Sequence, residues 1–339
     1  MATQVLVIGA GAVGAFYGSR LALASDAKVA VVCRSNYNAV QEDGFSVTSS
    51  QFGSYIWKPS QVFSSPDEAR KCQTTWDYIV VSTKALPDVG DDSALLEGLV
   101  GDSTSIVLIQ NGLGVEEPYN KRFPYAPILS AVTIVSTAQP TPGHIQHNRW
   151  TRINIGPYLP LSSSQNSSLF TSRNTQFVDL LQAGGVKDAI LDTHARLQLV
   201  RWHKLAINAA FNPSSVLAGG VSNNTMATDP ELSRHIEAVM QEVFDTAPKV
   251  IGQAFPAGFP SVEQILKSTR KNTSGSRPSM WADWKNGRPL EIEVILGNPI
   301  RIAREKGLEM PRLQSVYALV KKAQENRDAR RKSKGENKL

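Results

Sequence analysis

The residues best suited to chemistry lie in Trp202-His203-Lys204-Leu205-Ala206-Ile207-Asn208-Ala209-Ala210-Phe211-Asn212, where Lys204, Asn208 and Asn212 recur every four positions. That spacing puts one ammonium and two amides on a single helix face. A solvated stripe usually mixes several charges. A lone lysine with two amides beside Ile207 and Phe211 fits the wall of a polar cleft, although spacing alone leaves a surface stripe open. Partial burial would lower the lysine pKa and make it a general acid. Such an acid could protonate the oxygen of a ketone while a hydride reaches its carbon. Further along, Gly275–Asn298 contains Ser279, Glu291 and Glu293 ahead of an apolar stretch. A carboxylate near Lys204 would keep it charged and could accept a substrate hydroxyl. As ordinary acids of a helix first turn, Glu291 and Glu293 need no such role.

A hydride needs a carrier. Gly9-Ala10-Gly11-Ala12-Val13-Gly14 is G-x-G-x-x-G, preceded by the apolar run Gln4–Ile8 and followed by a helical stretch from Gly14 to Ser25. The pattern is weak in isolation and much stronger between a strand and a helix. Its first glycine makes the tight turn, the second admits a pyrophosphate, and the third lets helix and strand pack closely. The helix N-terminus then presents free N–H groups to the phosphates. An NAD site would place Asp or Glu at the end of the next strand. Here that strand, Val29–Cys33, is followed by Arg34, and no carboxylate occurs before Glu42. A guanidinium there could clamp a 2′-phosphate, which favours NADPH/NADP+ over NAD. The alternative is an Arg34 that simply lies in solvent.

The elements that must position these groups fall into two kinds. Val29–Cys33, Tyr78–Ser82 and Ser105–Gln110 are continuous apolar strands alternating with helical segments, which indicates a parallel sheet covered on both faces. Residues 45–63 alternate more and suggest a small antiparallel excursion, and residues 128–156 hold further strand pieces around Gln139–His144. Residues 161–176, rich in Ser, Thr and Asn, read as a surface loop or insertion. From about Leu197 the periodicity is helical. The expected fold is an α/β Rossmann-type dinucleotide-binding domain followed by an all-α C-terminal domain. The expected boundaries are 1–195 for the nucleotide domain, 196–326 for the helical substrate domain and 327–339 for a disordered basic tail.

Composition narrows the function. The chain has 339 residues and a formal net charge of +6. Residues 321–339 carry eight Lys or Arg against three Asp or Glu, leaving the rest near +1. The basicity belongs to the tail, so no basic folded face for nucleic acid is expected. Two cysteines, Cys33 and Cys72, imply no disulfide framework. No apolar run approaches a membrane span, and the N-terminus lacks the layout of a secretory signal, so a cytoplasmic location is expected. The five histidines show no ligand spacing, and no metal is expected.

In order along the chain, these residues resemble the ketopantoate reductases (2-dehydropantoate 2-reductases). The landmarks are the Gly9–Gly14 loop, Arg34, Ser82-Thr83-Lys84-Ala85, Gln110-Asn111-Gly112-Leu113-Gly114 and Pro142-Gly143-His144. They continue with Trp202–Leu205, Asn208, Asn212, Pro278-Ser279-Met280, Glu291-Ile292-Glu293, Gly307 and Pro311. The resemblance runs from Val5 to about Lys322. It implies Lys204 as general acid and Glu291 as a substrate-binding carboxylate, with Asn208, Asn212 and Ser279 on the substrate. It implies Gly9, Ala10, Gly11, Ala12, Val13, Gly14, Arg34, Lys84 and Asn111 on the cofactor, and an active site in a cleft between the domains. The implied reaction is reduction of a small 2-oxo acid, ketopantoate foremost, by NADPH in pantothenate biosynthesis. The expected partners are that substrate and a second copy in a homodimer; charge placement and hydropathy add the expectation of no nucleic acid and no membrane. The chain departs from the family pattern after Asn212, where Pro213–Asn224 replaces the usual stretch before a substrate asparagine. It departs again at Leu296-Gly297, where the family has Asn-Gly. Both departures bear on substrate identity more than on reaction type. Rival readings are another NADP-dependent ketone or 2-oxo acid reductase and a non-catalytic NADP-binding protein; retention of Lys204, Asn208 and Glu291 together argues against the latter.

Overall fold

The structure, a computed structural model, describes residues 2–159, 167–333 and 335. The strands are β1 (Thr3–Ile8), β2 (Ala27–Val32), β3 (Phe45–Ser49), β4 (Gly53–Trp57), β5 (Val62–Phe63), β6 (Tyr78–Val81), β7 (Ser105–Leu108), β8 (Ile128–Thr141), β9 (His144–Pro157) and β10 (Ala189–Leu191). The helices are α1 (Ala12–Leu21), α2 (Tyr37–Asp43), α3 (Pro66–Lys71), α4 (Glu117–Arg122), α5 (Ser167–Ala183) and α6 (His194–Leu217). They continue as α7 (Asn223–Thr228), α8 (Pro230–Ile251), α9 (Val262–Arg270), α10 (Ser279–Lys285), α11 (Asn298–Glu305) and α12 (Pro311–Ser333).

The chain divides into two compact units. The first comprises Met1–Lys84, Asp91–Gln110 and Val115–Leu197; the second comprises Ala85–Gly90, Asn111–Gly114 and Gln198–Leu339. In the first unit the strands form one sheet in the order β4-β3-β9-β8-β7-β6-β1-β2-β5, with β10 against β9. The run β8-β7-β6-β1-β2-β5 is parallel, and β8 and β9 form a long antiparallel hairpin. Alternation explains the uninterrupted apolar strands. Val5 and Val7 of β1 pack on one face with Phe16, Tyr17 and Phe177, while Leu6 and Ile8 pack on the other with Ile79, Val81 and Leu108. Each face is covered, so both parities of β1 are apolar from Val5 to Ile8. The excursion expected over 45–63 is the antiparallel hairpin β3–β4, whose β3 also lies parallel to β9.

The loop expected over 161–176 is corrected in part. Residues 167–176 open α5, and residues 161–166 lie outside the described residues. The polar composition hid the helical spacing of the buried Phe170, Asn174 and Phe177; the Asn174 amide donates to the Ile155 carbonyl at 3.1 Å. The disordered tail expected over 327–339 is corrected only over 327–333; residues 334 and 336–339 lie outside the described residues. Residues 327–333 continue α12, where the Arg327 guanidinium donates to the carbonyls of Trp284 and Arg288.

In the second unit, buried apolar faces hold the helices together. They comprise Trp202, Leu205, Ala209 and Ala210 of α6, Ile236, Val239, Met240 and Val243 of α8, and Leu313, Val316 and Val320 of α12. Between α10 and α11 the chain makes a π-helical turn over Glu293–Gly297. A π-turn carries one extra residue per turn and is tolerated where other contacts compensate. No described helix is long and apolar enough to cross a membrane.

Candidate active site

In the first unit, β1 delivers the chain into the Gly9–Gly14 turn. Gly9 adopts φ +90°, and a Cβ there would meet the Thr83 backbone nitrogen at 2.7 Å. At Gly14 a Cβ would lie 2.6 Å from the Gly9 carbonyl oxygen. The space beside Gly11 is different: a Cβ there would approach only the Gly9 oxygen, at 3.9 Å. The turn is therefore tight where it packs on the sheet and open where a ligand backbone would approach. Gly11 caps α1 without a side-chain hydrogen bond, and the first turn of α1 holds no acid, so its N–H groups face an uncompensated positive dipole. The turn is pinned by Asn36, a residue the sequence reading passed over, whose buried amide donates to the Ala10 carbonyl at 2.9 Å.

Arg34 is exposed just beyond β2. It acts electrostatically on Asp92, whose pKa is raised by burial and lowered in turn by the Thr83 hydroxyl and Arg34. Thr83 donates to Asp92 at 2.7 Å, and the Gln110 amide donates to the Thr83 carbonyl at 3.1 Å. Lys84, half-buried, follows directly in the chain.

The second unit assembles a trio. The partly buried Lys204 ammonium donates to Asn111 Oδ1 at 2.8 Å, and Asn111 Nδ2 approaches Glu291 Oε2 at 3.4 Å. One amide thus touches both the cation and the buried carboxylate. The Lys204 pKa is lowered to about 8, by burial first and by Arg201 next, with Glu291 opposing both. Arg201, buried on α6 one turn before Lys204, donates to the Gly112 carbonyl at 3.0 Å. Sequence reasoning missed Arg201, because a cation three residues from a lysine reads as another surface charge.

Asn111 is held by its own short segment. Gly112 has φ +89°, and a Cβ there would sit 2.4 Å from the Val294 carbonyl oxygen. Leu113 N–H donates to that same oxygen at 2.9 Å, and the Asn298 amide donates to the Leu113 carbonyl at 2.6 Å. Asn208 and Asn212 follow Lys204 up the same face of α6, half-buried and buried respectively. Neither side-chain amide has a hydrogen-bond partner among the described residues. Ser279, exposed at the first position of α10, makes no hydrogen bond with the trio. Glu293 points elsewhere, into Tyr317, Lys321 and Arg301.

The family model for ketopantoate reductase PanE/ApbA matches residues 5–160, and its C-terminal model matches residues 196–324. The chain belongs to the ketopantoate reductase family. It is 30% identical over 320 residues to a 2-dehydropantoate 2-reductase of Nostoc, covering 93% of each chain. It is also 29% identical to an uncharacterised protein of Saccharomyces cerevisiae, covering 94% of this chain and 92% of that one. The crystal structure of 2-dehydropantoate 2-reductase from Methylococcus capsulatus superposes with TM-score 0.80 at 32% identity, covering 96% of this chain and 97% of that one. As a member of this family, the chain is an NADP-dependent oxidoreductase acting on CH–OH groups. The open face at Gly11, the uncapped α1 and the absence of a carboxylate at the end of β2 fit that cofactor.

Proposed function

We propose that this ketopantoate reductase family member reduces a small 2-oxo acid with NADPH, with 2-dehydropantoate as the leading substrate and pantoate as the product. The observation that carries the reading is the Lys204–Asn111–Glu291 trio: a partly buried ammonium tied through one amide to a buried carboxylate. NADPH supplies the hydride for the carbonyl carbon. The Gly9–Gly14 turn would hold its pyrophosphate and Arg34 its 2′-phosphate, with Lys84 and Asn111 as further contacts. Lys204 would give its proton to the carbonyl oxygen as negative charge develops there. A pKa of about 8 leaves the lysine mostly protonated at neutral pH yet a far better donor than a free ammonium. Asn111 fixes where that ammonium sits, and Glu291 keeps it charged and would accept a substrate hydroxyl. The unpartnered amides of Asn208 and Asn212 would meet the substrate, and Ser279 its carboxylate. A cytoplasmic role in pantothenate biosynthesis goes with this substrate.

A different 2-oxo acid is the second reading. The asparagines after Asn212 are engaged elsewhere: Asn224 donates to the Arg270 carbonyl at 2.7 Å, and Asn223 approaches Ser276 Oγ at 3.4 Å. The deciding experiment follows NADPH oxidation against a panel of ketopantoate, other 2-oxo acids and ketones without a carboxylate. Turnover of ketopantoate above the rest is expected, and turnover confined to ketones lacking a carboxylate would refute the proposal.

Two further outcomes are expected. Because the protonated lysine is the active form and its pKa lies near 8, kcat for reduction should be level below pH 8. Above it, kcat should fall about tenfold per pH unit, and the reverse oxidation should rise through the same pH. A reduction rate level to pH 10 would remove Lys204 from the proton transfer. Arg34→Asp should weaken NADPH against NADH by roughly ten- to a hundredfold, the worth of a charge-assisted hydrogen bond. Ratios of kcat/KM for the two cofactors measure it directly.

A further inference from the structure

We propose that Glu293 is a positioning residue for the Lys204–Asn111–Glu291 trio, because its three donors hold the π-turn that fixes both Glu291 and the Asn111–Gly114 segment. The inference rests on the reading of Lys204 as proton donor. Glu293 lies at the head of the π-turn with its carboxylate almost enclosed. Oε1 accepts from the Tyr317 hydroxyl at 2.8 Å and from Lys321 Nζ at 3.1 Å; Oε2 accepts from Arg301 Nη2 at 2.8 Å. Burial alone would raise the carboxyl pKa, but these donors outweigh it and the pKa is lowered, so the group is a fixed anion at neutral pH. Tyr317 and Lys321 come from α12 and Arg301 from α11, so one carboxylate ties two helices to the turn.

Two routes lead from this anchor to Asn111. The first is backbone: Val294, next in the turn, offers its carbonyl to Leu113 N–H at 2.9 Å, with Gly112 packed against it. The second is a relay of side chains. Arg301 Nη2 also donates to Asn298 Oδ1 at 2.6 Å, which orients that amide so that Nδ2 donates to the Leu113 carbonyl at 2.6 Å. Both polar groups of Leu113 are therefore set by the Glu293 anchor, two residues from the amide that receives Lys204. On the other side, Glu291 lies two residues before Glu293, at the entrance to the same turn. A π-turn that relaxed to ordinary α-helix would lose a residue from its circuit and rotate whatever precedes it.

Gly297 supplies an independent handle. Its backbone is helical, which alanine adopts freely, yet a Cβ there would lie 2.5 Å from Glu293 Oε2 and 2.9 Å from Arg301 Nη2. Gly297→Ala therefore displaces the carboxylate–guanidinium pair without straining the main chain.

The test compares Glu293→Gln, Gly297→Ala and Lys204→Ala with the unaltered enzyme. The readouts are kcat and KM across pH, NADPH affinity by fluorescence titration, and thermal midpoint. If Glu293 positions the trio, Glu291 retreats from Lys204 in the first two variants and the ammonium loses the charge that sustains it. The alkaline limb of reduction should then move down by about half to one pH unit and kcat at saturating NADPH should fall about tenfold, with a smaller loss of NADPH affinity through Asn111. A role confined to stability would lower the thermal midpoint and leave that limb where it was. If Glu293→Gln does not fold, Gly297→Ala decides the matter. An unmoved limb and a kcat within about twofold in the folded variants, beside an inactive Lys204→Ala, overturn the inference alone. An active Lys204→Ala overturns the proton-donor reading, and the inference with it.

Discussion

Lys204→Ala should lower kcat for 2-oxo acid reduction by about 10²- to 10⁴-fold, the range expected for losing a positioned general acid. The ammonium lies 2.8 Å from Asn111 Oδ1, whose amide in turn meets Glu291, and alanine removes the proton that Lys204 would give. NADPH affinity should stay close to that of the unaltered protein, because the Gly9–Gly14 turn belongs to the other compact unit. Lys204→Arg should recover little. A guanidinium keeps the charge but holds its proton far too tightly to release it near neutral pH. Steady-state kinetics paired with fluorescence titration of NADPH separate the two effects. Loss of affinity without loss of kcat at saturating NADPH would reassign Lys204 to the cofactor.

The second large effect is expected at Gly9. Gly9→Ala places a side chain at φ +90° and drives its Cβ to 2.7 Å from the Thr83 nitrogen, a backbone atom with little freedom to retreat. Thr83 is held through its hydroxyl by Asp92 and through its carbonyl by Gln110. The substitution should destabilise the protein by about 1–3 kcal/mol and weaken NADPH at least tenfold, because the turn must open to relieve the clash. Gly11→Ala is the informative contrast. Its Cβ meets no protein atom closer than 3.9 Å, so the thermal midpoint should hardly move while NADPH binding falls. Equal losses of stability in the two variants would contradict the division of labour between these glycines.

Much of the first unit was legible because its physics is local. Strands buried on both faces are apolar at both parities, and Gln4–Ile8, Val29–Cys33 and Tyr78–Ser82 read that way apart from Gln4 and Ser82 at their ends. The fourfold spacing of Lys204, Asn208 and Asn212 likewise survives as one face of α6, since helical periodicity needs no tertiary information. What escaped notice depends on distant chain. The helical start of α5 was hidden by Ser, Thr and Asn, whose preferences are overridden once Phe170 and Phe177 are buried. The π-turn at Glu293–Gly297 reads as plain apolar helix, because the groups that meet Glu293 lie further along the chain, on α11 and α12. Asn36 and Arg201 look like ordinary surface residues until the carbonyls they serve, on Ala10 and Gly112, are in view.

The attachment of Asn111 to Lys204 spans 93 positions of sequence, and that of Asn111 to Glu291 spans 180. On a ribosome the amide therefore emerges long before either group it serves. Every strand among the described residues is synthesised before the first member of α8, whereas the proton-donating apparatus can form only once Glu291 has appeared. A nascent chain halted in α9 would already carry the glycine turn and the lysine but neither the carboxylate nor the π-turn. Chemical competence is thus withheld until the segment that carries Glu291 and the π-turn has been made.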